Sequence, residues 1–318
     1  MYRIFDISLE CDIPLPELPA SDGSGTLIRV AAGTGNERQS LSPEWFHEWQ
    51  DGKGNVVMVC GRVADGYVLR FPGLVDFLVS SSCDQVRYFP LQELPGETLR
   101  HLLLDQLIPR VLGQQARFIL HASAVQFPAE KAIAFVGDTG WGKSTLAASY
   151  YRKHARLVSD DCLLFEPEGN AVLCIPNYSG LRLNEDSSET LFDSNDDFRL
   201  VSHYSSKKRL ILHAGNDRND NIIPLGAIFV LSDPGKERGD AIRVNRIQGG
   251  DEMISIIRQQ FLLDVTDKAI IAKQFNKARE IIDRVPLLFS LSYPRQYDRL
   301  ESVHEAIAEA LNPVCIST

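Results

Sequence analysis

The octapeptide Gly137-Asp138-Thr139-Gly140-Trp141-Gly142-Lys143-Ser144 sets the tightest limit on the fold. It satisfies G-x-x-x-x-G-K-[ST], a loop that works only between a strand and a helix. The apolar run Ala132-Ile133-Ala134-Phe135-Val136 precedes it, and the helix-like Thr145-Leu146-Ala147-Ala148-Ser149-Tyr150 follows. The glycines let successive backbone N–H groups curl round phosphates, and the helix start adds its positive dipole end. Lys143 supplies a cation for the β- and γ-phosphates, and Ser144 offers a hydroxyl to Mg²⁺. Residues 137–145, ending at Thr145, therefore predict a site for ATP and Mg²⁺.

Around this loop the pattern alternates. Residues 118–125 and 131–136 read as strands, 142–153 as a helix and 156–165 as another strand. That alternation implies an α/β core. Leu157-Val158-Ser159-Asp160-Asp161-Cys162 places two adjacent carboxylates in the last run. Neighbouring strand positions point to opposite faces, so both cannot be ordinary core. Buried acids are costly without a metal or donors. Beside a nucleotide, one could hold Mg²⁺, with Ser144, and the other accept a proton from an attacking hydroxyl. A solvated strand-end turn is the simpler alternative. His121 lies in the run expected to neighbour the loop's strand, where a hydrogen-bonded core histidine and a site residue are both admissible.

The rest of the chain frames this core. Residues 1–95 hold short apolar runs at 26–32, 56–63, 67–71, 75–80 and 86–89, separated by Gly- and Asp-rich turns. They predict a β-rich accessory domain, with residues 96–318 as the second domain. Residues 97–112 space their leucines helically. Residues 184–203 and 216–221 are polar and read as loops; 224–232 and 286–293 read as strands, and 251–261, 270–283 and 300–311 as helices.

Among 318 residues, Asp and Glu number 42 against 33 Lys and Arg, a formal charge of −9. That gives no electrostatic reason to expect nucleic acid or an anionic membrane as partner. No run approaches the roughly 18 apolar residues of a membrane span, and the first residues lack a secretory pattern. A soluble, cytoplasmic protein is expected. The six cysteines, Cys11, Cys60, Cys83, Cys162, Cys174 and Cys315, form no C-x-x-C pair, so neither zinc nor a disulfide framework is expected.

Leu120-His121-Ala122, a strand, the glycine-rich octapeptide, a helix and Leu157-Val158-Ser159-Asp160-Asp161 together resemble the HPr serine kinase/phosphorylase family. They are closer to smaller related kinases, some of which phosphorylate a serine in ribosomal peptide precursors such as lasso peptides. The likeness is specific over residues 118–165 and looser to 311. Residues 1–95 do not share it. The resemblance implies an ATP-binding domain of the phosphoenolpyruvate-carboxykinase type and transfer of phosphate to a serine hydroxyl. By position, Lys143 and Ser144 take the loop roles, Asp160 and Asp161 the acidic pair, and His121 the histidine before the loop's strand. The family's glycine-rich segment beyond the aspartates is not found, so HPr recognition and the reverse reaction are not implied. For the family's downstream arginine, Arg182 and Arg209 (in Lys207-Lys208-Arg209) are the candidates, with a solvated basic turn as the alternative.

These features lead to an Mg²⁺- and ATP-dependent serine kinase acting on a peptide or small protein, with a lasso-type precursor peptide as the favoured acceptor. The alternatives are a kinase of a small hydroxylated metabolite and a non-catalytic ATP-binding regulator. Family members are often oligomers, so a homo-oligomer joins the expectations.

Overall fold

The computed structural model describes residues 1–127, 130–178, 180–193, 196–211, 222–236, 239–247 and 250–312. The polar stretch 216–221 and Cys315 lie outside the described residues. The chain divides into two compact units. One comprises Met1–Arg117, Val201–Ser205 and Phe261–Gln274, the other Phe118–Leu200, Ser206–Gln260 and Phe275–Thr318.

The first unit is an eight-stranded sheet with a helical segment. Its strands are β1 (Tyr2–Ile4), β2 (Ile7–Cys11), β3 (Leu27–Ala32), β4 (Glu44–Gln50), β5 (Val56–Val63), β6 (Gly66–Phe71), β7 (Val75–Ser80) and β8 (Gln85–Pro90), in the order β1-β2-β3-β8-β7-β6-β5-β4. A short helix, α1 (Gly35–Ser40), follows β3 and starts with a capping box between Thr34 and Glu37. The strands from β4 to β8 form an antiparallel meander, as the turn-punctuated apolar runs predict. Asp76 is fully buried, and its carboxylate accepts from Arg38 Nε and Arg70 Nε, each at 2.8 Å.

The helix expected over 97–112 is one helical run with a widened middle: α2 (Gly96–His101), a π-helical stretch (Leu102–Leu107) and α3 (Ile108–Gln114). Ile108 N–H bonds the Leu103 carbonyl five residues back. Pro109 has no N–H to give, and its ring crowds the preceding turn, so a wider turn before it relieves the clash. The sequence division at residue 95 places this segment with the second domain, whereas it belongs here to the first unit. The reason is polar anchoring: Gln114 donates to Tyr67 Oη at 3.0 Å, and Gln115 to the Cys83 carbonyl at 3.0 Å.

The second unit is mixed α/β. Its elements are β9 (Phe118–Leu120), β10 (Ala122–Gln126), β11 (Ala132–Val136), α4 (Lys143–Arg152), β12 (Arg156–Ser159), β13 (Leu163–Glu168), β14 (Ala171–Pro176), β15 (Leu181–Leu183), α5 (Glu185–Leu191), β16 (Phe198–Leu200), β17 (Lys208–Leu210), β18 (Ile223–Leu231), β19 (Arg243–Arg246), α6 (Gly250–Ile257), α7 (Lys268–Arg284), β20 (Leu287–Ser292) and α8 (Leu300–Leu311). The first seven residues of α7 fall in the other unit by the division above. Nine strands form one sheet, in which β11, β18 and β20 run parallel to one another. Every residue of β11 is buried, as expected of a parallel strand covered on both faces. Ile133 and Phe135 pack with residues of α4 and α8; Ala132, Ala134 and Val136 pack with Ile256, Ala278 and Ile281 of α6 and α7.

Two sequence expectations need correction. The runs at 118–125 and 156–165 are each broken into two strands, at His121 and at Asp160–Cys162. The polar stretch 184–203 is no plain loop, because it contains α5 and β16. Glu185 and Asp186 sit in the first turn of α5, where carboxylates suit the helix dipole. Phe192 and Phe198 meet edge-to-face at 5.5 Å and close the segment. No helix of the described residues is long and apolar enough to cross a membrane.

Candidate functional site

The glycine-rich loop joins the end of β11 to the start of α4. Gly140 and Gly142 have φ of +82° and +93°, a region that side chains with a Cβ avoid. A Cβ on Gly142 would also lie 2.9 Å from Tyr293 Oη. Gly142 caps α4 without any side-chain hydrogen bond, so the helix presents its first backbone N–H groups uncapped by a side chain. Lys143 is buried and folds over the loop, its Nζ donating to the Gly137 carbonyl at 2.7 Å and the Asp138 carbonyl at 2.9 Å. Burial lowers its pKa to about 8, against the opposing pull of Asp161 and Asp160.

The broken strands face this loop. β9 pairs with β13 and β10 with β12, and the register is the same either side of the break: Leu120 faces Leu163, and Ala124 faces Ser159. Ser123 therefore falls opposite Asp160, and its hydroxyl donates to Asp160 Oδ1 at 2.5 Å. The other oxygen, Oδ2, accepts from the Arg182 backbone N–H at 2.8 Å. Asp160 is 1% exposed, so its carboxylate is enclosed by protein. Burial and the neighbouring Asp161 charge raise its pKa.

Asp161 turns the other way. Its φ of +67° is left-handed, a strained setting for a residue other than glycine. Its Oδ1 lies 3.5 Å from His121 Nε2, and its Oδ2 accepts from Arg182 Nη1 at 3.2 Å. Burial alone would raise its pKa, but Arg182, His121 and Lys207 together hold the carboxyl well below the usual carboxylate range. His121 leaves the strand ladder, and its N–H bonds the Gln259 carbonyl at 2.8 Å. Burial lowers the imidazole pKa, helped by the Lys143 charge and opposed by Asp161.

These groups line one cleft of about 140 Å³: His121, Lys143, Ser144, Asp161, Arg182 and Lys207, with Thr139, Gly140, Gly142 and Thr145 as its glycine-loop edge. Asp160 and Arg209 are not among its walls. Arg209 sits directly opposite Arg182 on β17 and is 7% exposed; its Nη2 donates to Tyr178 Oη at 2.9 Å. Arg182 also donates to Tyr178 Oη, and both guanidinium groups lie about 5 Å from the Tyr178 ring centre, at 5.1 and 5.0 Å. Of the basic candidates, Arg182 and Lys207 thus face the cleft, whereas Lys208 pairs with Glu185 at 3.0 Å. Thr145 Oγ1 is 3.0 Å from Ser187 Oγ on α5, so its hydroxyl is engaged beside the cleft. Gly137, Asp138 and Trp141 face the opposite side of the loop.

Sequence reasoning passed over Ser123, Tyr178, Gln259 and Arg295. Ser123 carried a signal, being a polar residue at an inward strand position. Arg295 carried none: its Nε donates to the Trp141 carbonyl at 2.9 Å and its Nη2 to the Ser232 carbonyl at 2.7 Å. Gln259 Nε2 donates to Asp138 Oδ1 while its carbonyl holds His121, linking the two sides of the loop.

No protein-family model matches this chain, and no curated protein matches it. Among solved structures it is similar to the Hpr(Ser) kinase/phosphatase from Coxiella burnetii, at 12% identity and a TM-score of 0.28, over 60% of this chain and 94% of that one. A superposition that loose carries no argument.

Proposed function

We propose that this chain is an ATP-dependent phosphotransferase that phosphorylates a serine hydroxyl of a peptide or small protein. The observation that carries the reading is Asp161, whose carboxyl lines the same cleft as Lys143, Ser144 and the start of α4. Arg182 offsets the carboxylate charge there, and the group stands where a proton or a cation would be handled. The loop's N–H groups and Lys143 would take the β- and γ-phosphates. Ser144 supplies a hard oxygen suited to Mg²⁺, with Asp161 beside it in the cleft. Bound there, Mg²⁺ would neutralise phosphate charge.

Asp161 would accept the serine proton. Its low pKa is compatible with that role, because the proton leaves late in a loose phosphoryl-transfer transition state. His121 and Arg182 hold the two Asp161 oxygens, and Arg182 brings positive charge to the reacting centre. Asp160 would act on the scaffold, tying β10 to the backbone of Arg182. The sequence resemblance supports a serine in a lasso-type precursor peptide as acceptor. Incubation with γ-labelled ATP, Mg²⁺ and such peptides should yield phosphoserine. Lys143→Ala and Asp161→Asn should each abolish it, and full transfer by both would sink the mechanism.

A further inference from the structure

A second cleft, of about 570 Å³, opens on the other face of the same glycine-rich loop. Gly137, Asp138 and Trp141 form its near wall; Asp233 and Lys236 after β18, Arg246 on β19, and Ser255 and Arg258 on and after α6 complete it. It lies where the parallel strands β11 and β18 end, the edge at which open α/β sheets bind ligands. Resting on the reading above, we propose that this cleft receives the nucleoside half of the triphosphate, so that the phosphate chain crosses the loop from the larger cleft to the smaller.

Size separates the two clefts. Small-molecule sites span roughly 300–1,000 Å³. At about 140 Å³, the cleft with Asp161 has room for a terminal phosphate and a serine side chain, but not for a nucleoside as well. The larger cleft is within range. Its groups also suit a nucleoside better than a bare anion. Trp141 offers an aromatic edge, and the guanidinium groups of Arg246 and Arg258 can stack on a base or meet the α-phosphate. Asp233 would repel an anion but can accept from ribose hydroxyls. Its Oδ1 is held by the Gly235 N–H at 2.9 Å, and its side chain is about one-third exposed, at 35%. Gln259 fixes the wall by donating to Asp138.

The test compares binding of ATP and of inorganic tripolyphosphate, both with Mg²⁺, to the full-length protein by calorimetry. Ser255→Trp fills the cleft and should weaken ATP at least about tenfold while leaving tripolyphosphate within about twofold. Asp233→Asn, which keeps an acceptor for the Gly235 N–H but loses the charge that would accept from ribose hydroxyls, should weaken ATP by roughly threefold or more and leave tripolyphosphate within about twofold. Equal loss of both ligands, or an unchanged ATP affinity in both variants, overturns the proposal. Wild-type protein that binds tripolyphosphate as tightly as ATP overturns it too, yet leaves the phosphotransferase reading standing. Binding of neither ligand overturns both.

Discussion

Arg295 Nε donates to the Trp141 carbonyl at 2.9 Å, a bond between residues 154 positions apart. The same guanidinium donates to the Tyr293 and Ser232 carbonyls at 2.5 and 2.7 Å and lies 3.7 Å from the Tyr293 ring centre. One side chain therefore sets the glycine-rich loop against the ends of β18 and β20. Arg295→Ala should weaken ATP binding by roughly 10- to 100-fold, because charged hydrogen bonds contribute about 1.5–3 kcal/mol each. Arg295→Lys should recover little, since a point charge cannot reach three carbonyls at once. An unchanged Kd in a folded Arg295→Ala protein would show that the loop keeps its shape without it.

Gly142 and Gly140 separate two causes of strain. Both have positive φ, but only Gly142 has a neighbour, Tyr293 Oη, in the way of a Cβ; nothing lies within 4 Å at Gly140. Gly140→Ala should cost about 1–2 kcal/mol from the backbone alone. Gly142→Ala should cost more and should also reduce nucleotide binding. Thermal unfolding of the two variants reads the order, and equal losses would count against the steric part.

Asp160 and Asp161 should separate under mutation. Asp160→Ala leaves the Ser123 hydroxyl and the Arg182 N–H without their acceptor and should destabilise the second unit by about 2–4 kcal/mol. Asp161→Asn keeps an oxygen for Arg182 but loses the charge it pairs, so it should cost less stability than Asp160→Ala while transfer falls by roughly 100-fold or more. Urea midpoints and turnover, measured on the same samples, test the contrast. The reverse pattern would exchange the two roles.

His304 gives the fold a pH dependence of its own. Its Nε2 lies 2.8 Å from Ser149 Oγ and its ring 4.0 Å from that of Tyr150, and burial lowers its pKa from 6.5 to about 4. The unfolded chain then binds more protons than the native one between those two values. Stability is full above pH 6.5 and falls as pH drops, by about 2 kcal/mol at pH 5 and about 3 kcal/mol below pH 4. Urea unfolding at pH 7 and pH 5 should show this loss, and His304→Gln should reduce the difference by about 2 kcal/mol.

Much of this could be read from residues alone, and the exceptions have physical causes. The meander of the first unit was legible because period-two apolar runs alternate with Gly and Asp turns. The loop between β11 and α4 was legible because few sequences combine those glycines with Lys143 and Ser144. The breaks at His121 and Asp160–Cys162 were not, since apolar residues flank each on both sides and read as one strand. The first is set by the distant Gln259 carbonyl, which takes the His121 N–H out of the ladder. Adjacency showed that Asp160 and Asp161 face opposite ways, but which one meets the loop depends on Ser123 across the pair. In α5, polarity suggested a loop although Glu185 and Asp186 marked a helix start.

The left-handed backbone at Asp161 has an evolutionary corollary. Glycine would relieve about 1 kcal/mol of backbone strain there, yet it would leave the buried Arg182 guanidinium without its carboxylate, a larger cost. The strain is therefore held in place by the ion pair, and a chain that changed position 161 for comfort would have to change Arg182 with it.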